Sequence, residues 1–226
     1  MQGLKVLITG TSSGIGKATA QLFLDKGHEV VGLDILPSTI AHERYAHFQC
    51  DVGKVEELPE IQGASIIINN AGTIEEEDAI QTNLVGYVNV GEKYAFRSDV
   101  KAVVNVGSIS GRVGLDYPFY SASQGGRIAY TKNLAIRLGK FNKAKVNCVS
   151  FGAVHSSLEP NLYQEDRLMQ AVANESILKK WILPDEAAEW IYFVAVHNQS
   201  MTGQDILIDN GEEANYNFID SREGES

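Results

Sequence analysis

Leu4-Lys5-Val6-Leu7-Ile8 runs straight into Thr9-Gly10-Thr11-Ser12-Ser13-Gly14-Ile15-Gly16, and a helical pattern follows through about Lys26. The first five residues read as a short apolar strand and the rest as a glycine-rich turn. Glycines 10, 14 and 16 let the backbone fold sharply and come close to a bound group. At the start of a helix, free N–H groups and the helix dipole favour an anion. With a strand before it and a helix after it, the turn reads as a pyrophosphate cradle, which places the chain among parallel α/β sheets that hold a dinucleotide.

Working outward, the next strand, Glu29-Val30-Val31-Gly32-Leu33-Asp34, ends in a carboxylate. In a dinucleotide fold an acid here accepts hydrogen bonds from the adenosine ribose and repels the extra 2′-phosphate of NADP, which points to NAD(H). The plainer reading is an Asp that opens the following loop. Further strand-like runs lie at 48–52, 65–68, 102–107, 145–150 and 206–208. Together they give a Rossmann-type, doubly wound parallel sheet of about seven strands in a three-layer αβα arrangement. About ten residues separate the third and fourth runs, so that crossover is cut to a turn or two of helix. The 226 residues carry no Pro/Gly/Ser-rich linker, and residues 1–226 read as a single domain.

A second stretch, Tyr120-Ser121-Ala122-Ser123-Gln124, sets the chemistry. Pro118 suits a helix start, and this helix extends to about Gly139 or Phe141. Residues four apart share a helix face, so Tyr120 and Gln124 point the same way. Ser108 ends the buried run at 102–107, where a hydroxyl at the strand tip can face the phenol of Tyr120. One such group polarises a carbonyl oxygen while the other exchanges its proton.

These motifs resemble the short-chain dehydrogenase/reductase family, and the resemblance spans nearly the whole chain. It implies catalytic roles for Ser108 and Tyr120, and for Asn83 in the stretch Thr82-Asn83-Leu84-Val85-Gly86, which would hold a relay water. The family places lysine where this chain has Gln124, which keeps hydrogen-bonding capacity for the nicotinamide ribose but has no charge. Cofactor contacts are implied for Gly10, Thr11, Ser12, Ser13, Gly14, Ile15 and Gly16. They are implied also for Asp34, for Asp51 and Val52 against the adenine, and for Asn70, Ala71 and Gly72 of Asn69-Asn70-Ala71-Gly72. Ser13 stands where NADP-preferring relatives often place a basic residue. After the sixth strand the family expects Pro-Gly; here Phe151-Gly152 suggests a less rigid loop, with Gly152, Val154 and Ser156 toward the cofactor.

Residues 157–183 correspond to the family's variable substrate lid, with Leu158, Leu162, Tyr163, Met169, Ile177 and Trp181 as an apolar inner face. Tyr117 and Phe119 suit either the substrate mouth or core packing. Gly125-Gly126 permits another backbone to approach, which together with the resemblance suggests a subunit contact and a homodimer or homotetramer. Arg127 can lie near Tyr120; a structural role toward a partner subunit is the competing reading, since relatives place an aliphatic residue there. The segment from Glu212 to Ser226 is either frayed or docked on another subunit.

The formal charge of −10, with no Lys/Arg cluster, argues against nucleic-acid binding. No apolar run approaches the ~20 residues of a membrane span. Cys50 and Cys148 read as buried free thiols and fit a reducing cytoplasm. The acidic run Glu75-Glu76-Glu77-Asp78 reads as a solvated first helical turn rather than a metal site, because consecutive carboxylates do not share one face. His155 reads as a surface loop residue.

Two functions fit. One is an NAD(H)-dependent oxidoreductase interconverting an alcohol and a ketone, with Tyr120 as acid/base, Ser108 polarising the substrate oxygen and Gln124 positioning the ribose. The other is a catalytically impaired NAD(H)-binding regulatory or structural subunit.

Overall fold

The computed structural model describes residues 3–114, 117–156 and 166–215. Seven parallel strands form one sheet in the order β3-β2-β1-β4-β5-β6-β7. They are β1 (Lys5–Thr9), β2 (Glu29–Asp34), β3 (Tyr45–Gln49), β4 (Ile66–Asn69), β5 (Ala102–Ser108), β6 (Lys145–Phe151) and β7 (Asp205–Ile208). The chain winds from β1 to the β3 edge, returns to place β4 against the other side of β1, and continues outward to β7. The order therefore reverses between β1 and β4, and a crevice opens there at the carboxyl ends of the strands.

Alternation along β1 shows why the sheet carries helices on both faces. Val6 and Ile8 pack with Phe23 and Leu24 of α1 (Gly14–Asp25) and Ile191 of α7 (Pro184–Tyr192). Leu7 points the other way, toward the cluster containing Val90 and Tyr94 of α3 (Gly86–Tyr94) and Leu134 and Leu138 of α5 (Pro118–Phe141). Near-continuous apolar strands covered on both faces give the expected three layers. The remaining helices are α2 (Glu76–Ile80), α4 (Ser110–Val113) and α6 (Asp166–Asn174). Between α2 and α3, residues Gln81–Val85 form a π-helical turn.

Several local expectations change. The third strand occupies Tyr45–Gln49, because β2 ends at Asp34 opposite Gln49 and offers no further partner; Asp51 and Val52 lie in the following loop. The crossover to β4 is reduced to one 3₁₀ turn, Val55–Glu57. Phe151 lies before the loop that follows β6. It continues the strand, pairs with Ser108 and Ile208, and is buried in the core, and its carbonyl accepts the Ile109 N–H at 2.8 Å. Gly125-Gly126 admits close neighbours within the chain itself: a Cβ on Gly126 would meet the Leu84 side chain at 2.9 Å, and Gly111 of α4 packs onto the Gln124–Gly125 backbone. Gly211–Asn215 also folds onto its own chain, with Arg112 holding Glu213 through Nε (2.9 Å) and Nη2 (3.0 Å) and Asp205 through Nη1 (2.8 Å). Leu158, Leu162, Tyr163 and the tail beyond residue 215 lie outside the described residues.

Candidate functional site

A cleft of about 560 Å³ occupies the crevice. The first turn contributes Gly10, Ser13, Gly14 and Ile15 to its wall, β2 contributes Asp34, and the loop after β3 contributes Asp51 and Val52. Asn70, Ala71 and Gly72 follow β4, Asn83 comes from the π-helical turn, Tyr120 and Gln124 from α5, and Ser156 from the loop after β6. Thr11, Ser12, Gly16, Ser108, Gly152 and Val154 are outside that lining.

At the first turn, Gly10 has φ +75°, and its N–H donates to the Leu33 carbonyl at 2.7 Å. A Cβ at Gly16 would lie 1.9 Å from the Gly10 carbonyl oxygen, so only glycine lets α1 start this close to the turn. Thr11 is buried, with Oγ1 2.7 Å from the Tyr45 hydroxyl. Asp34 both closes the turn and opens its own loop. Oδ2 accepts the Ser12 N–H at 2.8 Å and Oδ1 the Leu36 N–H at 2.9 Å, and each oxygen retains capacity for another donor. Asp51 Oδ1 similarly accepts the Gly53 N–H at 2.8 Å. Asn70 Nδ2 donates to the Thr9 carbonyl at 3.0 Å, bracing β4 against β1.

The other end of the cleft is assembled on α5. Glu76 reaches from α2 to accept the N–H groups of Phe119 and Tyr120, each at 2.9 Å, so this acidic residue caps another helix and is not simply solvated. Asn83 is fully buried: Oδ1 accepts the Thr73 N–H at 2.9 Å, and Nδ2 donates to the Thr73 carbonyl at 2.8 Å and to Ser123 Oγ at 3.2 Å. Ser123 Oγ donates in turn to the Tyr120 carbonyl at 2.6 Å. Tyr120 is half-buried. Gln124 is 1% exposed, and its Oε1 has no hydrogen-bond partner.

Arg127 is the largest departure from expectation. It points inward with 4% exposure, not toward a partner, and is the only Lys or Arg among the cleft's lining residues. Nε donates to the Asn83 carbonyl at 2.7 Å, Nη1 to Val106 O at 2.8 Å and Nη2 to Ala71 O at 3.3 Å. The guanidinium stacks 3.7 Å from the Tyr87 ring centroid. Burial pushes the Tyr87 phenol well above its ordinary range, and the Arg127 cation draws it part of the way back.

Ser108 tips β5, and its Oγ accepts from Ser110 Oγ at 3.0 Å and from the Ser110 N–H at 3.2 Å. Beyond β6, Glu212 Oε1 accepts the Ala153 N–H at 2.7 Å and sits where a Gly152 Cβ would stand. Burial, with Asp209 and Glu175 nearby, pushes its carboxyl up to about 7 against the pull of that N–H. Val154 bridges to Ile182, and exposed His155 lies edge-on to Trp181 at 6.3 Å between centroids. Both thiols are buried; burial first, then nearby carboxylates, pushes Cys50 up to about 11 and Cys148 up to about 12. Among the described residues, no group of three His, Cys, Asp or Glu is placed to hold a metal ion, and no helix is long and apolar enough to cross a membrane.

Glu76, Ser110, Ser123 and Glu212 were not expected at the site. Arg127 had a signal, its seven-residue spacing from Tyr120.

A family model described as enoyl-(acyl carrier protein) reductase matches residues 10–213. The 3-oxoacyl-[acyl-carrier-protein] reductase of Thermotoga maritima is 31% identical, over 93% of this chain and 98% of its own. The D-xylose 1-dehydrogenase of Caulobacter vibrioides is 29% identical, over 93% and 96%. A solved 4-hydroxyisoleucine dehydrogenase mutant, complexed with NADH and succinate, superposes with a TM-score of 0.85 at 27% identity, covering 94% of this chain and all of that one. With a family match over almost its whole length and a sheet of the corresponding order, the chain belongs to the short-chain dehydrogenase/reductase family of oxidoreductases.

Proposed function

We propose that the protein is an NAD(H)-dependent oxidoreductase interconverting an alcohol and a ketone, with Tyr120 as its acid/base. One observation carries the reading: Tyr120 and Gln124 share a cleft whose far end holds the glycine turn and Asp34.

The residues present fit a nicotinamide dinucleotide. The cradle at Gly16 is one that a Cβ would fill, and the buried Oε1 of Gln124 is an acceptor awaiting a donor such as a ribose hydroxyl. When bound, the coenzyme supplies the hydride donor or acceptor. Asp34 accepts the adenosine ribose hydroxyls. The carboxylate of Asp34 at that end, with no ion-pair partner of its own among the described residues, disfavours a 2′-phosphate and hence NADP, while that of Asp51 is paired with Lys54 at 3.6 Å.

For the substrate, the hydrogen-bond direction at Ser108 matters. Its Oγ already accepts from Ser110, so its own proton is left to donate to a substrate oxygen. That donation polarises the carbonyl, and Tyr120 Oη exchanges the proton there. Asn83 uses its side chain on Thr73 and Ser123, so it supports Tyr120 through the backbone of α5. The relative named as a D-xylose 1-dehydrogenase favours a small-molecule carbonyl or alcohol substrate, and the one named as a 3-oxoacyl-[acyl-carrier-protein] reductase likewise favours carbonyl chemistry. Residues 157–183 are read as the lid over it. Exposed apolar side chains such as Ile136, Trp190 and Phe193 favour self-association as a homodimer or homotetramer.

The test is NADH oxidation and NAD reduction across a panel of alcohols and ketones, with Tyr120→Phe as control. Turnover that the control lacks while still binding NADH is expected. NADH binding without turnover on any substrate would replace this reading with that of a binding subunit, which the neutral Gln124 favours.

A further inference from the structure

Arg127 is a buried cation with no carboxylate partner among the described residues. Taking a charge out of water is expensive, and an apolar side chain would fill the same place without that penalty. Three backbone carbonyls and the Tyr87 ring offset part of the cost. Three hydrogen bonds leave two of the five guanidinium N–H groups unassigned. A group of this kind invites a functional explanation when it borders a cleft.

Its place on the helix supplies one. Positions 120, 124 and 127 lie on one face of α5, and all three side chains border the same cleft. The phenol of Tyr87 lies within electrostatic reach of both Arg127 and Tyr120. The Arg127 Nη2 atom lies 3.1 Å from where a Gly72 Cβ would stand, at the cleft wall.

We propose that Arg127 supplies the fixed positive charge that stabilises negative charge on the Tyr120 oxygen during proton exchange, so that the neutral Gln124 is left to bind by hydrogen bonding alone. The inference rests on Tyr120 being the acid/base. Arg127 is a positioning residue acting through Tyr120, since a guanidinium stays protonated and passes on no proton. The other charged or titratable groups on the elements around Tyr120 are Glu76 at its backbone, Tyr87 within electrostatic reach, and Glu75 and Asp78 in the shared cleft wall. All are acidic, which leaves Arg127 as the one stabilising charge among them.

The test compares the intact chain with Arg127→Met, Arg127→Lys and Gln124→Lys by two measurements. The first is the pH–rate profile. The second is the tyrosinate absorbance titration assigned to Tyr120 by difference from Tyr120→Phe, which needs no turnover. Arg127→Met is expected to move both to higher pH by about one unit or more, slowing turnover near neutrality roughly tenfold or more. Arg127→Lys is expected to hold both near their original positions, and Gln124→Lys, which alters a coenzyme-binding residue, to bring no tenfold gain in the neutral rate. Should Arg127→Met fail to fold, Arg127→Lys and Gln124→Lys carry the test. A tenfold gain from Gln124→Lys, or a Tyr120 titration indifferent to the charge at 127, overturns the proposal. Absence of turnover in every variant removes the dehydrogenase reading, while the titration still decides whether Arg127 acts on Tyr120.

Discussion

Glu76 holds Tyr120 by its backbone: the Glu76 Oε1 accepts the Tyr120 N–H at 2.9 Å while Oε2 takes that of Phe119 at the same distance. An acidic run that looks like solvated surface thus caps the helix carrying the proposed acid/base. Glu76→Ala should lower stability by about 1–2 kcal/mol, the usual cost of an emptied helix cap, and reduce turnover through misplacement of Tyr120. Urea unfolding and steady-state kinetics measure the two effects. Unchanged stability would mean that solvent serves those N–H groups equally well.

Gly16 tests the cradle. An alanine methyl there would overlap the Gly10 carbonyl oxygen at 1.9 Å, and rotation of a side chain cannot relieve a backbone clash. Gly16→Ala is expected to weaken NADH binding at least about tenfold, as read by the quenching or enhancement of NADH fluorescence. Wild-type affinity in this variant would place the coenzyme elsewhere.

Asp34 tests coenzyme choice. The unaltered chain should prefer NADH over NADPH by about tenfold or more, and Asp34→Asn should narrow that gap by removing the charge while leaving an acceptor for Ser12. Binding of both coenzymes to both proteins is the measurement. A preference that survives unaltered would assign discrimination to another residue.

The cradle and Asp34 were readable in the sequence because their geometry is local, set by glycines within a few residues and by a strand that ends where it must. The same holds for Tyr120 and Gln124, one helical turn apart. What the sequence hides is made by residues distant along the chain. The Glu76 cap spans forty-four positions, and the clasp of Glu212 on Ala153 spans fifty-nine. Arg127 misleads for a different reason. A long cationic side chain on a helix suits solvent or a partner surface, and only the convergence of the Asn83, Val106 and Ala71 carbonyls makes an interior place for it. At Phe151 a missing proline suggests slackness, whereas the freed N–H position lets β6 run on.

Glu212 gives a pH dependence. Its carboxyl titrates near 7 in the folded protein, above its ordinary value of 4.5, because burial disfavours the charged form. A raised folded value means that the folded state holds the proton more tightly, so stability falls as pH rises from about 4.5 to about 7 and levels off above. Glu212→Gln should therefore melt a few degrees higher than the original at about pH 8, a gain limited by solvent screening, and show little difference near pH 4. Thermal melts across that range check it; a destabilised variant at high pH would show that the Ala153 hydrogen bond outweighs the burial.

The clasp also joins parts of the chain made early and late. Every strand from β1 to β6 and the whole of α5 precede it on the chain, yet Glu212 joins Ile208 and Ile182 in holding the loop at residues 152–153, and Glu213 joins Asp205 in holding Arg112 of α4. A chain still emerging from the ribosome can pair most of its sheet while one wall of the cleft hangs without its fastener. The cleft wall after β6 thus draws part of its support from residues made well after the rest of the lining.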